Sequence, residues 1–320
     1  MITWGINALN HDASIAVVSN GKLTFWKKSS EFSGIQGDDK LHSDLIKEAI
    51  SASNYSGPST VVWYERPWLK KLRQIRAGQW DWACNLNELP SRYLKTVNLG
   101  YPKISYMPHH KSHAAAGFLT SPFEEATIVV LDAIGEWESA TIWSGKGTKL
   151  TKLWSRSYPT SLGLFYSAFT DLIGLKPLGE EHILQQRSSL GDEKRYAKDV
   201  ATYWNKNWEL TRNLHKGVTD WPHEIKTDQD RHDIAAAVQL IFEYQADWVM
   251  LKARQLSTSK NLVYMGGCAM NSKYNKYMSM QWDDIWTLSV PGDASSSLGA
   301  ALYYQQARVQ LNEKFKILHG

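Results

Sequence analysis

His109 and His113 stand four residues apart in the run Pro108-His109-His110-Lys111-Ser112-His113-Ala114-Ala115-Ala116-Gly117. The small residues that follow favour a helix, and positions i and i+4 of a helix share one face, so the two imidazoles have metal-ligand spacing. Two histidines bind a divalent ion incompletely. A third ligand is needed, a carboxylate being the obvious type, and nitrogen donors leave zinc, iron, nickel or copper open as the ion. Such pairs also arise by chance on solvated helices, so the reading needs support from elsewhere in the chain. Asp293, in Val290-Pro291-Gly292-Asp293-Ala294-Ser295-Ser296-Ser297-Leu298-Gly299, lies on a loop just before a helix start, where serines can cap the helix or bind an anion. It is the third ligand expected here.

The elements that position these residues repeat. Ile2 to Asn7, a polar turn with His11 and Asp12, Ala13 to Val18, and Gly21 to Trp26 read as strand, turn, strand, turn, strand. Val129 to Glu136, Ser139 to Trp143 and Lys149 to Trp154 return to the same pattern. Two polar hairpins, one opening each half of the chain, suggest a duplicated lobe holding a nucleotide phosphate between the two turns. Two unrelated meanders would give the same pattern. Further on, Asn261 to Asn271 is a buried strand running into Gly266-Gly267 and a helix start, where paired glycines let a ligand approach the backbone.

Taken in order, these pieces resemble the O-carbamoyltransferases of the nodulation-factor, cephamycin and tobramycin type, whose catalytic domain is related to tRNA threonylcarbamoyltransferase. The residues that carry the resemblance are Gly5-Ile6-Asn7, His11 to Ser14, His109 to Ala115, Leu131-Asp132 with Gly135-Glu136, Ser161 to Tyr166, Gly266-Gly267 with Asn271, and Asp293 to Ala301. They span most of the chain. The resemblance implies an α/β, actin-like two-lobed ATPase fold, and a divalent metal site, usually iron, on His109, His113 and Asp293. It implies ATP or carbamoyl adenylate as nucleotide and carbamoyl phosphate as donor, and it puts His11 beside the reacting acceptor hydroxyl. An imidazole titrates near neutral pH, so His11 suits a general base, with Asp12 orienting it. Asn7, Asp132, Gly135 and Glu136 are then expected at the phosphate or its ion, and Gly266, Gly267 and Asn271 at the nucleoside. His110, one residue off the face of the pair, is expected behind the ligands.

The sequence departs from the family in two places. Members continue into a YrdC-like domain that makes carbamoyl adenylate from carbamoyl phosphate and ATP. The 320 residues here contain no counterpart, so a separate adenylating protein or direct use of carbamoyl phosphate is expected. Gly179 to Ser188 stands where members carry glycine-lysine-methionine-glycine, so acceptor or nucleotide handling is expected to differ there.

Composition describes a globular chain, 43% hydrophobic and 21% charged, with ample core. No apolar run reaches membrane-spanning length, and the N-terminus begins a strand rather than an export signal, so a cytoplasmic protein is expected. Cys84 and Cys268 fit no zinc-ribbon or disulfide framework. The net charge of +4 is too mild to indicate nucleic acid by itself. From Arg187 to Gly217, however, seven Lys or Arg residues face four acids around Trp204 and Trp208. Interleaved basic and aromatic residues can grip phosphates and stack on bases, and the alternative is a helical insertion whose tryptophans face the core. Arg187, Trp204 and Trp208 are the candidate acceptor-binding residues. The acceptor expected is the hydroxymethyl group of 5-hydroxymethylcytosine in DNA, reached in a single strand or by base flipping, with a sugar or secondary metabolite as the alternative.

Lobe I is expected over 1–124 and lobe II over 125–320, with a helical insertion at about 186–232 and a final helix from Ser297 to about Leu311. A basic helix follows Glu65-Arg66-Pro67, as it does in the carbamoyltransferases, and so carries little information about the acceptor; Trp80 and Trp82 could line a pocket, burial being the expected account. Sugar-kinase chemistry on the same lobes would lack the histidine pair, and a non-catalytic subunit would not need His11, His109, His113 and Asp293. Self-association is left open.

Overall fold

The computed structural model describes residues 1–54, 57–278 and 281–311, so the last nine residues assigned to lobe II lie outside the described residues. Two five-stranded sheets form the frame, and the second repeats the first strand for strand. In the first sheet, β1 (Ile2–Asn7) pairs antiparallel with β2 (Ser14–Ser19), which pairs antiparallel with β3 (Lys22–Lys28). The short α1 (Ser30–Ser33) and α2 (Ser43–Ala52) follow. On its other side β1 pairs parallel with β4 (Thr60–Trp63). After α3 (Pro67–Arg76), α4 (Trp80–Cys84) and α5 (Pro90–Thr96), β5 (Lys103–Tyr106) adds parallel to β4, and α6 (His109–Thr120) closes the half.

The second half runs through β6 (Glu125–Gly135), β7 (Glu138–Lys146) and β8 (Lys149–Ser157) to α7 (Leu162–Leu172), α8 (Glu181–Arg187), α9 (Glu193–Ala201) and the long α10 (Asp228–Leu256). Then come β9 (Asn261–Met265), α11 (Ser272–Met278), β10 (Asp284–Trp286) and α12 (Ser296–Tyr304). The orders β3-β2-β1-β4-β5 and β8-β7-β6-β9-β10 correspond, with the same parallel and antiparallel pairings. The sequence echo is therefore a duplicated core and not two unrelated meanders.

Burial follows position. The central strands β1 and β6 are almost wholly buried, as strands covered on both faces must be, while β3 and β8 expose alternate residues and carry lysines along the sheet edges. α6 is buried at nearly every position because Ala114, Ala115, Ala116 and Gly117 keep it thin enough to lie between β6, β9 and α12. The final helix stops at Tyr304, earlier than expected, and packs against α6 and across β1, β2 and β4. α12 thereby returns to the first sheet. Gly5 meets the Ser297 carbonyl and Gly299 meets the Ser112 carbonyl, approaches that a side chain would block.

Two expectations about tryptophans fail. Trp204 and Trp208 lie in the second-lobe core, where Trp208 Nε1 donates to the Gln245 carbonyl (2.9 Å) and its ring stacks on Trp248. They are out of reach of an acceptor, and the core-facing alternative is what the fold adopts. Trp80 and Trp82, by contrast, are 60% and 58% exposed.

Candidate metal centre and its flanking turn

His109 and His113 occupy the first turns of α6 with both rings buried, and their Nε2 atoms face each other at 3.0 Å. A Cβ on Gly135 would collide with the His109 ring, so this glycine makes the space in which that imidazole sits. The Tyr64 ring packs against His109 from the first sheet, with centroids 5.3 Å apart.

Two carboxylates close on the pair. Asp293, on the single 3-10 turn ahead of α12, brings Oδ1 to 3.4 Å from His109 Nε2 and 3.3 Å from His113 Nε2. Asp132, near the end of β6, brings Oδ2 to 3.1 Å from His109 Nε2 and 3.9 Å from His113 Nε2. The four donor atoms all lie within 4.8 Å of one another. Two imidazole nitrogens and two carboxylate oxygens aimed at one point fit a first-row divalent ion. The carboxylates hold His109 well above the ordinary imidazole range although burial opposes this, so the cluster as folded attracts positive charge.

The set differs from expectation in having four members. Asp132, expected at the phosphate or its ion, joins the cluster where an ion would sit, and nothing local in a hydrophobic strand marks its acid as a ligand. Its position at the end of a central strand does, because crevices at strand ends are where such sheets bind ligands. Its second oxygen, Oδ1, accepts from the Gly267 N–H at 3.1 Å. Gly266, with φ +92°, packs on the Leu131 carbonyl. The paired glycine thus brings a backbone donor to a ligand side chain, where contact with a nucleoside was expected. His110 lies behind the cluster, its Nδ1 3.0 Å from Thr141 Oγ1, and burial holds it well below the ordinary range.

Asn7 is fully buried, and its Nδ2 donates to the carbonyls of His11 (2.9 Å) and Asp12 (2.8 Å). It braces the turn and does not reach for a phosphate. Asp12 itself has φ +49°. His11 Nδ1 lies 2.6 Å from Asp12 Oδ2, and Nε2 lies 3.2 Å from the Leu178 carbonyl. The Asp12 hydrogen bond, against the cost of burial, raises His11 to about 9. Leu178 belongs to the stretch adjoining the departure at Gly179, so that stretch borders His11 directly. Asn10 Nδ2, on the same turn, donates to Asp293 Oδ2 at 3.0 Å, which ties the His11 turn to the cluster. Asn10 was missed because a lone asparagine in a turn reads only as turn chemistry.

Two more assignments change. Glu136, expected at the phosphate or its ion, is buried and engaged by Arg66: the backbone N–H donates at 2.5 Å and the guanidinium at 2.6 Å. Asn271, expected at the nucleoside, spends its amide on Gln239 and accepts from the Tyr274 N–H, capping α11. Arg187 is half-buried at the end of α8. Among the described residues no helix is long and apolar enough to cross a membrane.

A family model described as the carbamoyltransferase N-terminus matches residues 41–302. An uncharacterized protein of Synechocystis sp. is 30% identical over 93% of this chain and 56% of its own length. The nodulation protein NolNO of Sinorhizobium fredii is 27% identical over 92% of this chain and 46% of its own length. The chain thus spans about half the length of the curated relatives it matches. Among solved structures, full-length HypF in its phosphate- and nucleotide-bound form aligns with a TM-score of 0.50 at 11% identity, over 95% of this chain and 55% of that one. That likeness is one of fold, the actin-like ATPase fold that the two matching sheets build.

Proposed function

The chain belongs to the carbamoyltransferase N-terminal family, and on that premise we propose that it moves a carbamoyl group from carbamoyl phosphate to an acceptor hydroxyl. The observation that carries the reading is the Asn10 to Asp293 hydrogen bond, which joins a turn bearing an accessible imidazole to a four-ligand cluster. In the reaction the acceptor oxygen bonds to the carbamoyl carbon, the bond from that carbon to the phosphate oxygen breaks, and phosphate leaves with the electron pair. His11 Nε2 takes the hydroxyl proton. Asp12 holds the ring by Nδ1, and Asn7 holds the turn. An acceptor hydroxyl would occupy the place now filled by the Leu178 carbonyl, within hydrogen-bond reach of Nε2.

His109, His113, Asp132 and Asp293 would hold the divalent ion, iron(II) being our assignment. When bound it supplies Lewis-acid and template chemistry for the donor phosphate. ATP enters if the donor is first converted to carbamoyl adenylate by a separate adenylating protein, and the nucleotide named for HypF supports a nucleotide place in this fold.

For the acceptor we propose 5-hydroxymethylcytosine in DNA. The support has moved from Trp204 and Trp208 to the exposed Trp68 on the basic helix α3 and the exposed Trp80 and Trp82 on α4, which packs against α3. The burial of Trp204 and Trp208 favours a second reading, a sugar or small-metabolite acceptor. Incubation with ferrous iron, carbamoyl phosphate and ATP, offering hydroxymethylated DNA and a sugar panel separately, tests both by product mass. A carbamoyl adduct on DNA alone supports the first, an adduct on a sugar replaces it with the second, and no adduct anywhere rejects transfer by this chain alone.

A further inference from the structure

The Leu178 carbonyl occupies the nitrogen of His11 that a base needs free. Between Leu175, which packs on the second-lobe core, and the buried Leu184, residues 176–181 form a strap that reaches the first-lobe turn and sets this carbonyl 3.2 Å from His11 Nε2. At the other edge of the ring, Nδ1 lies 2.6 Å from Asp12 Oδ2. A carbonyl and a carboxylate oxygen only accept, so both ring nitrogens donate and the ring between them carries both its protons. A histidine in that form has no lone pair with which to take a proton from a hydroxyl. Gly37 lies against the same nitrogen, where a Cβ would stand 3.0 Å from Nε2. An acceptor hydroxyl and the Leu178 carbonyl therefore compete for one place.

Two adjacent acids hold the strap in place. Glu181 Oε1, at the start of α8, accepts from the Leu178 N–H and from Ser167 Oγ of α7, both at 2.6 Å. Glu180 closes the turn beneath, its Oε2 accepting from the Lys176 N–H at 2.7 Å and its own N–H donating to the Lys176 carbonyl at 2.9 Å. Packing contributes little at the tip, because Leu178 is 61% exposed. Its backbone is strained, with φ +61° in a region that leucine rarely adopts, and such a conformation persists only where the surroundings impose it. A strained and exposed tip, fixed by hydrogen bonds to one acid and one imidazole, loses little buried surface on opening.

We propose that Glu181 is a positioning residue for acceptor entry: it holds the strap shut over His11, and the acceptor hydroxyl enters by displacing the Leu178 carbonyl. The proposal rests on His11 as the base, and its first test does not require transfer. Two variants open the strap by different routes. Glu181→Ala removes the acceptor of the Leu178 N–H, and Leu178→Pro removes the N–H itself and forbids φ +61°. Radiolytic hydroxyl-radical footprinting of the full chain, read residue by residue from peptide masses, measures how far water reaches the His11 ring. Oxidation of His11 is expected to rise at least twofold in both variants and by less in Glu181→Gln, whose amide oxygen still accepts. The rate at His42, a comparably exposed histidine capping α2, should not change. Unchanged oxidation of His11 in either variant overturns the proposal, and so does an equal rise at His42, which would mark general loosening. With an acceptor that takes the carbamoyl group, a closed strap lowers apparent affinity by the fraction of molecules that are open, so acceptor KM should fall at least threefold in both variants. A fall in kcat with KM unchanged would give Glu181 a structural role and overturn the gate. If no acceptor is carbamoylated, the reading of His11 as base fails by itself, and the footprint still decides whether the strap covers the ring.

Discussion

Two histidines on a solvated helix would turn their polar edges to water, whereas His109 and His113 are buried and aim Nε2 inward at two carboxylates. Each ligand contributes one donor to a shared point, so Asp132→Asn removes a charged oxygen and leaves three. We expect bound iron(II) to weaken at least tenfold, read as metal per chain after dialysis against a graded chelator, with the circular dichroism spectrum unchanged. His11 carries its own test. Its Asp12 partner holds it at about 9, so in the resting fold it is protonated at neutral pH and must lose that proton to act as base. The transfer rate kcat/KM should therefore rise with pH up to about 9, and Asp12→Asn should move that limb toward the unperturbed 6.5. The same sign applies to stability: the His11 to Asp12 contribution is complete below about 6.5 and is lost as pH climbs through about 9. The histidine pair was legible because i, i+4 spacing is a local property. Asn10 was not, since it takes its meaning from Asp293, distant in sequence.

Among the elements, α6 bears the two candidate histidine ligands, and the ends of β6 and β9 lie beside them. Gly135 is the place where this packing is tightest. A methyl there would displace the His109 ring, so Gly135→Ala should lower iron(II) affinity at least tenfold and cost on the order of 1–3 kcal/mol in urea unfolding through overpacking. A change in stability with iron affinity unchanged would show that the ring had been accommodated elsewhere. Strands in a clear hairpin pattern, such as β1 and β6, were readable from sequence. Segment 187–217 was not, because interleaved basic and aromatic residues describe equally a nucleic-acid surface and a capped, core-facing insertion. Only the packing of Trp208 on Trp248 decides between them. The exposure of Trp80 and Trp82 was missed for the opposite reason: tryptophan is usually covered, and a surface that departs from this rule has no local signature.

Across the molecule, contacts join the two halves both at the cluster and at the far end of α12, where Gln305 bonds Met1, Thr3 and Val18. Asn10 reaches Asp293, His11 reaches Leu178, α12 returns to β1, and Arg66 grips Glu136. Removing the charge of the buried Glu136 tests how far that last contact holds the halves together. Glu136→Gln should cost about 1–2 kcal/mol in urea unfolding, an amount set by charge-assisted hydrogen bonds and discounted because Arg66 is a third exposed. The duplicated core was visible as an echo of hairpins, because both copies use the same strand, polar turn, strand pattern. The crossing contacts were not, since pairs such as Arg66 and Glu136 are fixed only once both lobes are folded. The most direct measurement is transfer of labelled carbamoyl from carbamoyl phosphate to an acceptor hydroxyl by chelator-stripped protein as iron(II) is added back. We predict that label appears in the acceptor in proportion to iron bound, saturating at one ion per chain, and that His113→Ala yields none. Transfer that is undiminished in stripped protein or in His113→Ala would contradict a reaction centred on this cluster.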